Sequence, residues 1–112
     1  MAAGNPMRVL CIYRVRKGQE QEFQRLLEKH WPTLNSLGLT TAEPAAVLWC
    51  EDKMGKSFFA EQFAWKDGSA PETAHHTPAV MAVWEPMGAL CEGMEFMATS
   101  PVPMPYAAVA NE

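Results

Sequence analysis

Apolar and polar positions along the chain follow two different periods, which predict four strands and two helices. Alternation of apolar and polar residues is typical of a strand with one buried face, and apolar residues spaced by three or four positions are typical of an amphipathic helix. The order is strand–helix–strand–strand–helix–strand, the ferredoxin-like βαββαβ plan of an α+β protein with a four-stranded antiparallel sheet. The predicted strands are Met7–Val15, Thr40–Glu51, Lys56–Trp65 and Met94–Thr99, and the predicted helices are about Gln19–Leu37 and a second one that begins near Ser69.

The first predicted helix carries its apolar residues on one stripe. Pro32 interrupts this helix, and because a proline lacks the backbone N–H and crowds the preceding turn, we expect a kink or a break near Trp31. Gly38 suits the C-terminal cap. His30 belongs to the stripe, where a histidine is usually a core residue with satisfied ring nitrogens. The stripe consists of Phe23, Leu26, Leu27, His30, Leu34 and Leu37.

Prolines and glycines predict further boundaries. Pro44 indicates an irregular or edge segment at the start of the second strand, and Gly55 a hairpin turn after it. In the second helix, Pro78 should separate a short first turn from a main helix of about Ala79–Cys91, which Gly93 should end.

Two more features concern the second helix. Ser69 followed by Glu72 has the sequence of a capping box at its start. Pro86 lies inside the main helix, which we expect it to bend.

Composition limits the class of protein. The chain has 112 residues, 48% apolar and 20% charged, with a net charge of −4. We expect one domain at residues 7–103, a flexible leader at 1–6 and an extended tail at 104–112. The acidic balance argues against nucleic acid, no apolar run has the length of a membrane span, and a signal peptide is not expected because the start lacks a basic region. The three distant cysteines indicate reduced thiols, so we expect a cytoplasmic protein.

Four motifs carry a resemblance to a known group of proteins. They are RVLCIYRVRKGQEQEFQRLL (Arg8–Leu27), FFAEQFAW (Phe58–Trp65), KDGSA (Lys66–Ala70) and ETAHHTPAV (Glu72–Val80). With them the chain resembles the antibiotic-biosynthesis-monooxygenase-like group of the dimeric α+β barrel superfamily, over about residues 7–103. The resemblance implies a homodimer formed through the sheet faces and a ligand cavity between sheet and helices. It also implies oxygen chemistry with no metal, flavin or other cofactor.

Glu61 is the first candidate catalytic residue. It shares a predicted strand face with Phe63 and Trp65. An ionised carboxylate in apolar surroundings is unfavourable unless it is paired, and such a carboxylate can serve as a general base. The alternative is a structural glutamate that binds the backbone or an arginine such as Arg8 or Arg14.

His75 is the second candidate catalytic residue, and His76 follows it. An imidazole can orient a substrate oxygen or carry a proton near neutral pH, and His75 is the member that matches the Ala-His position of the group it resembles. A metal site with Glu72 is an alternative. Adjacent side chains on a helix diverge by about 100°, so the two histidines chelate poorly together, and we expect no metal.

Four tryptophans and eight methionines are many for this length. They indicate either an adaptable core or an aromatic pocket for a flat organic molecule. The haem-degrading branch of the superfamily has its haem-ligating histidine where this chain has Trp84. This departure argues against haem ligation and makes haem binding a minor alternative. The predicted ligand-binding residues are Tyr13, Phe63, Trp65, His76 and Trp84, and Arg14 and Asn35 are further polar groups that could reach a ligand.

The sequence therefore predicts a small cytoplasmic homodimer that binds a small aromatic or hydrophobic ligand. The resemblance implies a cofactor-independent monooxygenase, in which Glu61 or His75 would handle protons. Three alternatives remain open: a ligand-binding or stress-response module of the same fold without chemistry, a haem-binding or haem-degrading relative, and an isomerase or lyase.

Overall fold

A computed structural model describes residues 4–106 and confirms the predicted plan. The four strands form one antiparallel sheet in the order β2-β3-β1-β4, which is the ferredoxin-like arrangement of an α+β fold. The predicted second helix is divided at Pro78, as expected. The elements are β1 (Met7–Val15), α1 (Glu20–Ser36), β2 (Ala46–Glu51), β3 (Ser57–Trp65), α2 (Ala70–His75), α3 (Pro78–Leu90) and β4 (Cys91–Thr99).

The predicted leader and tail fall partly outside the described residues, which exclude 1–3 and 107–112. Residues 4–6 and 100–106 belong to no helix or strand and are exposed. None of the three helices found between residues 4 and 106 has the length and apolar character to cross a membrane.

The register of the central strands gives the sheet a helix-side face and an open face. Directly paired residues of neighbouring strands point to the same face. Cys11 of β1 lies between Glu61 of β3 and Phe96 of β4. The helix-side face therefore carries Val9, Cys11, Tyr13, Phe59, Glu61, Phe63 and Trp65, which are all buried. This confirms the predicted alternation in β1 and β3.

Helix α1 packs most of its predicted stripe on this face, but Leu37, just beyond the helix, is exposed. Phe23, Leu27, His30 and Leu34 are buried, and the ring of Phe23 lies 5.0 Å from that of Tyr13. The expected break near Trp31 is wrong, because α1 continues through Pro32.

The solvent explains why α1 tolerates its proline. Pro32 is exposed, so the carbonyl that loses its partner can bind water while the buried stripe holds the helix together. Gly38 ends the helix as predicted. Its φ is +74°, and its N–H donates to the carbonyl of Asn35 at 2.9 Å.

Two predicted boundaries are wrong. The second strand begins at Ala46 rather than Thr40, and Thr40 makes only an isolated bridge to Trp65; Pro44 lies in the intervening segment and cannot donate to a strand ladder. Gly93 lies inside β4 rather than at the end of α3.

The predicted capping box is also absent. Ser69 is the residue before α2, but its side chain makes no capping hydrogen bond. Its hydroxyl donates instead to Asp67 at 2.7 Å, since an aspartate two residues earlier offers a nearer and charged acceptor. That bond, with the backbone N–H of Ser69 adding to it, lowers the pKa of Asp67.

None of the helices in residues 4–106 packs against the open face of the sheet. Arg14 lies over the Phe58 ring and bonds Glu95 at 3.2 Å. Apart from Gln62 and the charged groups, the face is mostly apolar, and its larger side chains range from half-buried to exposed. The apolar residues of this open face include Leu10, Ile12, Leu48, Ala60 and Met97.

Candidate functional site

A cavity of about 490 Å³ lies between the helix-side face and the helices. Its wall is mostly sulfur and aromatic side chains: Met7, Met81, Met87, Met94, Phe63, Trp65, Trp84 and Phe96. The polar groups that reach it are few: Tyr13, His30, His75 and Glu85, with the thiol of Cys11. A volume of this order with a mostly apolar wall is typical of small-molecule sites.

Four buried or half-buried side chains form a hydrogen-bonded chain beside the cavity. The hydroxyl of Tyr13 donates to Glu61 at 2.7 Å. Nδ1 of His30 lies 3.0 Å from both carboxylate oxygens of Glu61. The indole Nε1–H of Trp84 donates to Nε2 of His30 at 2.8 Å. Strands β1 and β3, helix α1 and helix α3 thus each contribute one member.

This geometry fixes the protonation of His30. An indole nitrogen can only donate, so Nε2 must accept and the ring proton must be on Nδ1. The Nδ1–H then donates to Glu61, and His30 is neutral. The carboxylate receives donors from both sides, which suits its ionised form.

Burial raises the pKa of two groups next to Glu61, the hydroxyl of Tyr13 and the thiol of Cys11. It raises the pKa of Tyr13 far above the usual range, and the negative charge of Glu61 adds to the effect. Burial likewise raises the pKa of Cys11 to about 12, again with Glu61 adding. Tyr13 therefore acts as a donor to Glu61, and Cys11 stays a thiol at neutral pH and is a poor nucleophile.

The predicted site residues are divided between the cavity and other places. Tyr13, Phe63, Trp65, Trp84 and His75 line the cavity. The ring of His75 packs edge-on against Trp84, with 4.8 Å between ring centroids.

Glu61 and His76 have different surroundings from these five. Glu61 has no exposed surface and lies behind Tyr13 and His30 rather than on the cavity wall. His76 faces a surface groove with Glu72 and Thr77.

The two further polar candidates also lie elsewhere. Asn35 donates to Thr40 and to the carbonyl of Thr41. Arg14 bonds Glu95 on the open face.

His30 is the site residue that sequence reasoning did not single out. The predicted partners of Glu61 were the backbone or an arginine, whereas the actual partners are His30 and Tyr13. The pattern held one indication: His30 lies on the buried stripe of a helix and Glu61 on the buried face of a strand. Two polar groups in one small core require partners, and each is the nearest candidate for the other.

Within residues 4–106, no three side chains of His, Cys, Asp or Glu are grouped so that they could hold a metal ion. The side chains on the cavity wall offer proton transfer by imidazole, hydrogen bonding by indole and phenol groups, and apolar binding.

Comparison with known proteins identifies the fold. No protein-family model matches the chain, and no curated protein matches it either. Solved structures do match. SnoaB, a cofactor-independent oxygenase from Streptomyces nogalater, is 16% identical, with a TM-score of 0.69 over 91% of this chain and 98% of that one. An antibiotic biosynthesis monooxygenase is 13% identical, with a TM-score of 0.66 over 87% and 99%.

A third match belongs to another family. A NIPSNAP family protein from Agrobacterium tumefaciens is 15% identical, with a TM-score of 0.62 over 91% of this chain and 90% of that one. The chain therefore has the ferredoxin-like α+β fold of the antibiotic biosynthesis monooxygenases, as its motifs predicted. Because one fold serves several families, the matches alone do not give it an activity.

Proposed function

We propose that the cavity binds a small aromatic or otherwise apolar molecule and that His30, oriented by Glu61, removes a proton from it. The resulting anion would react directly with O₂, which makes the protein a cofactor-independent monooxygenase. The observation that carries the proposal is a buried imidazole on the wall of an apolar cavity, whose Nδ1–H is held by a fully buried carboxylate.

The pair has the parts of a general base. A base must present an unprotonated nitrogen to the substrate, and Glu61 keeps the proton of His30 on the other nitrogen. After His30 accepts a proton, the adjacent carboxylate stabilises the positive imidazolium. Glu61 is thus a positioning residue, because it is buried behind His30 and does not line the cavity.

The electrons that reduce O₂ come from the substrate itself. For a substrate with an activated CH₂ group, the substrate carbanion reduces O₂; one oxygen atom forms the new C=O group, and the other leaves as water with the two substrate hydrogens. Support for this chemistry comes from SnoaB, which has this fold and is a cofactor-independent oxygenase. His75, exposed yet on the cavity wall, is placed to exchange protons with solvent.

We also propose that two copies pair through their open faces. Leu48 and Met97 are 53% and 40% exposed on a face that α1, α2 and α3 leave uncovered. An apolar sheet face left in water is unfavourable and is usually buried against a partner. The unpaired cysteines of the described chain suit a reducing compartment such as the cytoplasm.

Oxygen uptake with an anthrone tests the catalytic proposal. Dithranol (1,8-dihydroxy-9-anthrone) carries an activated CH₂ group, and we expect the protein to accelerate its oxidation with one O₂ consumed per quinone formed. His30→Gln should reduce the rate by a factor of about 10² to 10⁴, the usual range for a lost general base. Glu22→Gln, on the exposed surface of α1, is the matched control and should keep the rate.

The outcomes separate the proposal from its rivals. Binding of dithranol without oxygen uptake would favour a ligand-binding module. A tautomerised product without oxygen uptake would favour an isomerase. An unchanged rate in His30→Gln would contradict the role of His30.

A further inference from the structure

Methionine is concentrated around the cavity. Of the eight methionines in the chain, seven lie in residues 4–106, and five of these line the cavity. They come from three different elements, β1, α3 and β4. A methionine has an unbranched side chain with three rotatable bonds, so it can fill spaces of different shape. The five lining methionines are Met7, Met81, Met87, Met94 and Met97.

The aromatic and the sulfur-containing residues of the wall differ in how firmly they are held. Phe63 and Trp65 of β3 are buried and pack edge-on, with 5.1 Å between ring centroids. Met81 of α3 and Met94 of β4 are only partly buried, so part of each side chain borders open space rather than packed neighbours. A ligand therefore meets a rigid aromatic surface and a sulfur-rich surface that can change its rotamers to fit.

The polar groups of the hydrogen-bonded chain beside the cavity are already paired with one another. The O–H of Tyr13 donates to Glu61. The indole N–H of Trp84 donates to His30. An apolar ligand can therefore bind without leaving any of these groups unpaired, and the bond between Trp84 and His30 needs to open only when His30 takes a proton.

The remaining polar groups of the wall give a ligand little orientation. In most small-molecule sites a few well-placed polar groups fix the orientation of the ligand and provide specificity. Outside the hydrogen-bonded chain, the polar side chains that line the cavity in residues 4–106 are Cys11, His75 and Glu85. The thiol of Cys11 is a weak donor, and His75 and Glu85 are exposed. Recognition therefore depends mainly on apolar contact with the wall.

Resting on the proposed function, we infer that the cavity is a site of broad specificity, which binds apolar molecules of similar size but different shape, and that Met81 and Met94 are the residues that set this breadth. Flexible, methionine-rich surfaces that repack around different partners are a known basis of promiscuous binding. The substrate is then a class of apolar compounds rather than a single one.

Biphenyl and acenaphthene test the breadth of the site, because they are isomers without a hydrogen-bonding group. Biphenyl is long and twisted about its central bond, whereas acenaphthene is compact and flat. A rigid apolar pocket discriminates by a factor of about 10 or more between ligands that differ by one methylene. We expect the two dissociation constants for the wild-type protein to differ by less than about tenfold, measured by titration of protein labelled with ¹³C in the methionine methyl groups. A larger difference would overturn the inference.

A stiffer wall tests the role of the two methionines. In the double variant Met81→Ile/Met94→Ile both side chains stay apolar and similar in size, but isoleucine is branched at Cβ and restricted in χ1. The ratio of the two dissociation constants should change by at least about fivefold in this variant, and a smaller change would overturn the role of Met81 and Met94. Met54→Ile is the matched control, because Met54 is 85% exposed in the turn between β2 and β3, and it should leave the ratio unchanged.

The labelled wild-type protein gives an answer even if the double variant does not fold. Both probes should show nuclear Overhauser contacts to the methyl groups of Met81 and Met94 and none to that of Met54. Contacts from only one of the two probes would contradict a wall that adapts to both.

These results can be told apart from a failure of the proposed function. Oxygen uptake with dithranol that is lost in His30→Gln, together with strong discrimination between the two hydrocarbons, would leave His30 as the base and overturn the broad specificity. Absence of binding of both hydrocarbons would also overturn the inference, and the dithranol assay would then decide separately on the proposed function.

Discussion

Replacing Glu61 with glutamine tests the hydrogen-bonded chain with the smallest change of shape. The carboxylate has no exposed surface and accepts from Tyr13 at 2.7 Å and from His30 at 3.0 Å through both oxygens. If the amide oxygen takes the position that binds Tyr13, the amide N–H₂ faces the Nδ1–H of His30, and two donors meet. If His30 changes tautomer to relieve this contact, its Nε2–H meets the indole N–H of Trp84 instead.

The loss of stability in Glu61→Gln can be worked out from these contacts. Glu61→Gln weakens at least one hydrogen bond to a charged group and leaves at least one buried donor unpaired, each worth about 1–3 kcal/mol. Removal of a buried negative charge offsets part of this loss. We therefore expect the free energy of unfolding to fall by about 2–4 kcal/mol, measured by urea unfolding followed by tryptophan fluorescence at fixed protein concentration.

The control is the same chemical change on the surface. Glu22 pairs with Arg25 at 3.7 Å on the exposed side of α1, and exposed helix pairs of this kind contribute about 0.2–0.5 kcal/mol. Glu22→Gln should therefore leave stability nearly unchanged. A Glu61→Gln protein within about 0.5 kcal/mol of wild type would contradict the pairing of the buried carboxylate with Tyr13 and His30.

Three further predictions concern the neighbours of Glu61, the open face and pH. Tyr13→Phe should lower the free energy of unfolding by about 1.5–3 kcal/mol, the worth of a hydrogen bond to a charged group, and an unchanged urea midpoint would contradict the bond to Glu61. Leu48→Asp should turn a dimer into a monomer in light scattering after size exclusion, whereas Leu37→Asp, at the end of α1, should not; a dimer in both would exclude the open face. Because burial raises the pKa of Cys11 from 9.0 to about 12, the unfolded chain releases this proton first. Stability should therefore fall as the pH rises from about 9 to 12, by on the order of 1 kcal/mol at pH 10; Cys11→Ala should reduce that slope, and an equal slope would contradict it.

The helix-side face could be predicted because its pattern is strict. Alternation places Tyr13 and Glu61 on the buried sides of β1 and β3, and helical spacing places His30 on the buried side of α1. These periods are set by backbone geometry, so they survive in any fold that buries these faces. That Glu61 and His30 would meet required the register of β1, β3 and α1, which residue spacing alone does not specify.

Boundaries were harder to predict because local preferences compete with tertiary contacts. Pro32 stays inside α1 because the stripe on the other side of the helix is buried. Gly93 enters β4 because strand pairing with Arg14 outweighs the tendency of glycine to end a helix. The capping box failed for a local reason: Asp67 offers Ser69 a better acceptor than the helix start does.

The tautomer of His30 decides whether this residue can act as a base, and long-range ¹H–¹⁵N spectra of the wild-type protein at neutral pH report it. We expect a neutral ring with the proton on Nδ1 and an unprotonated Nε2, because Glu61 accepts from the first nitrogen and Trp84 donates to the second. A ring protonated at Nε2, alone or together with Nδ1, would contradict it, since His30 would then have no free electron pair to offer a substrate.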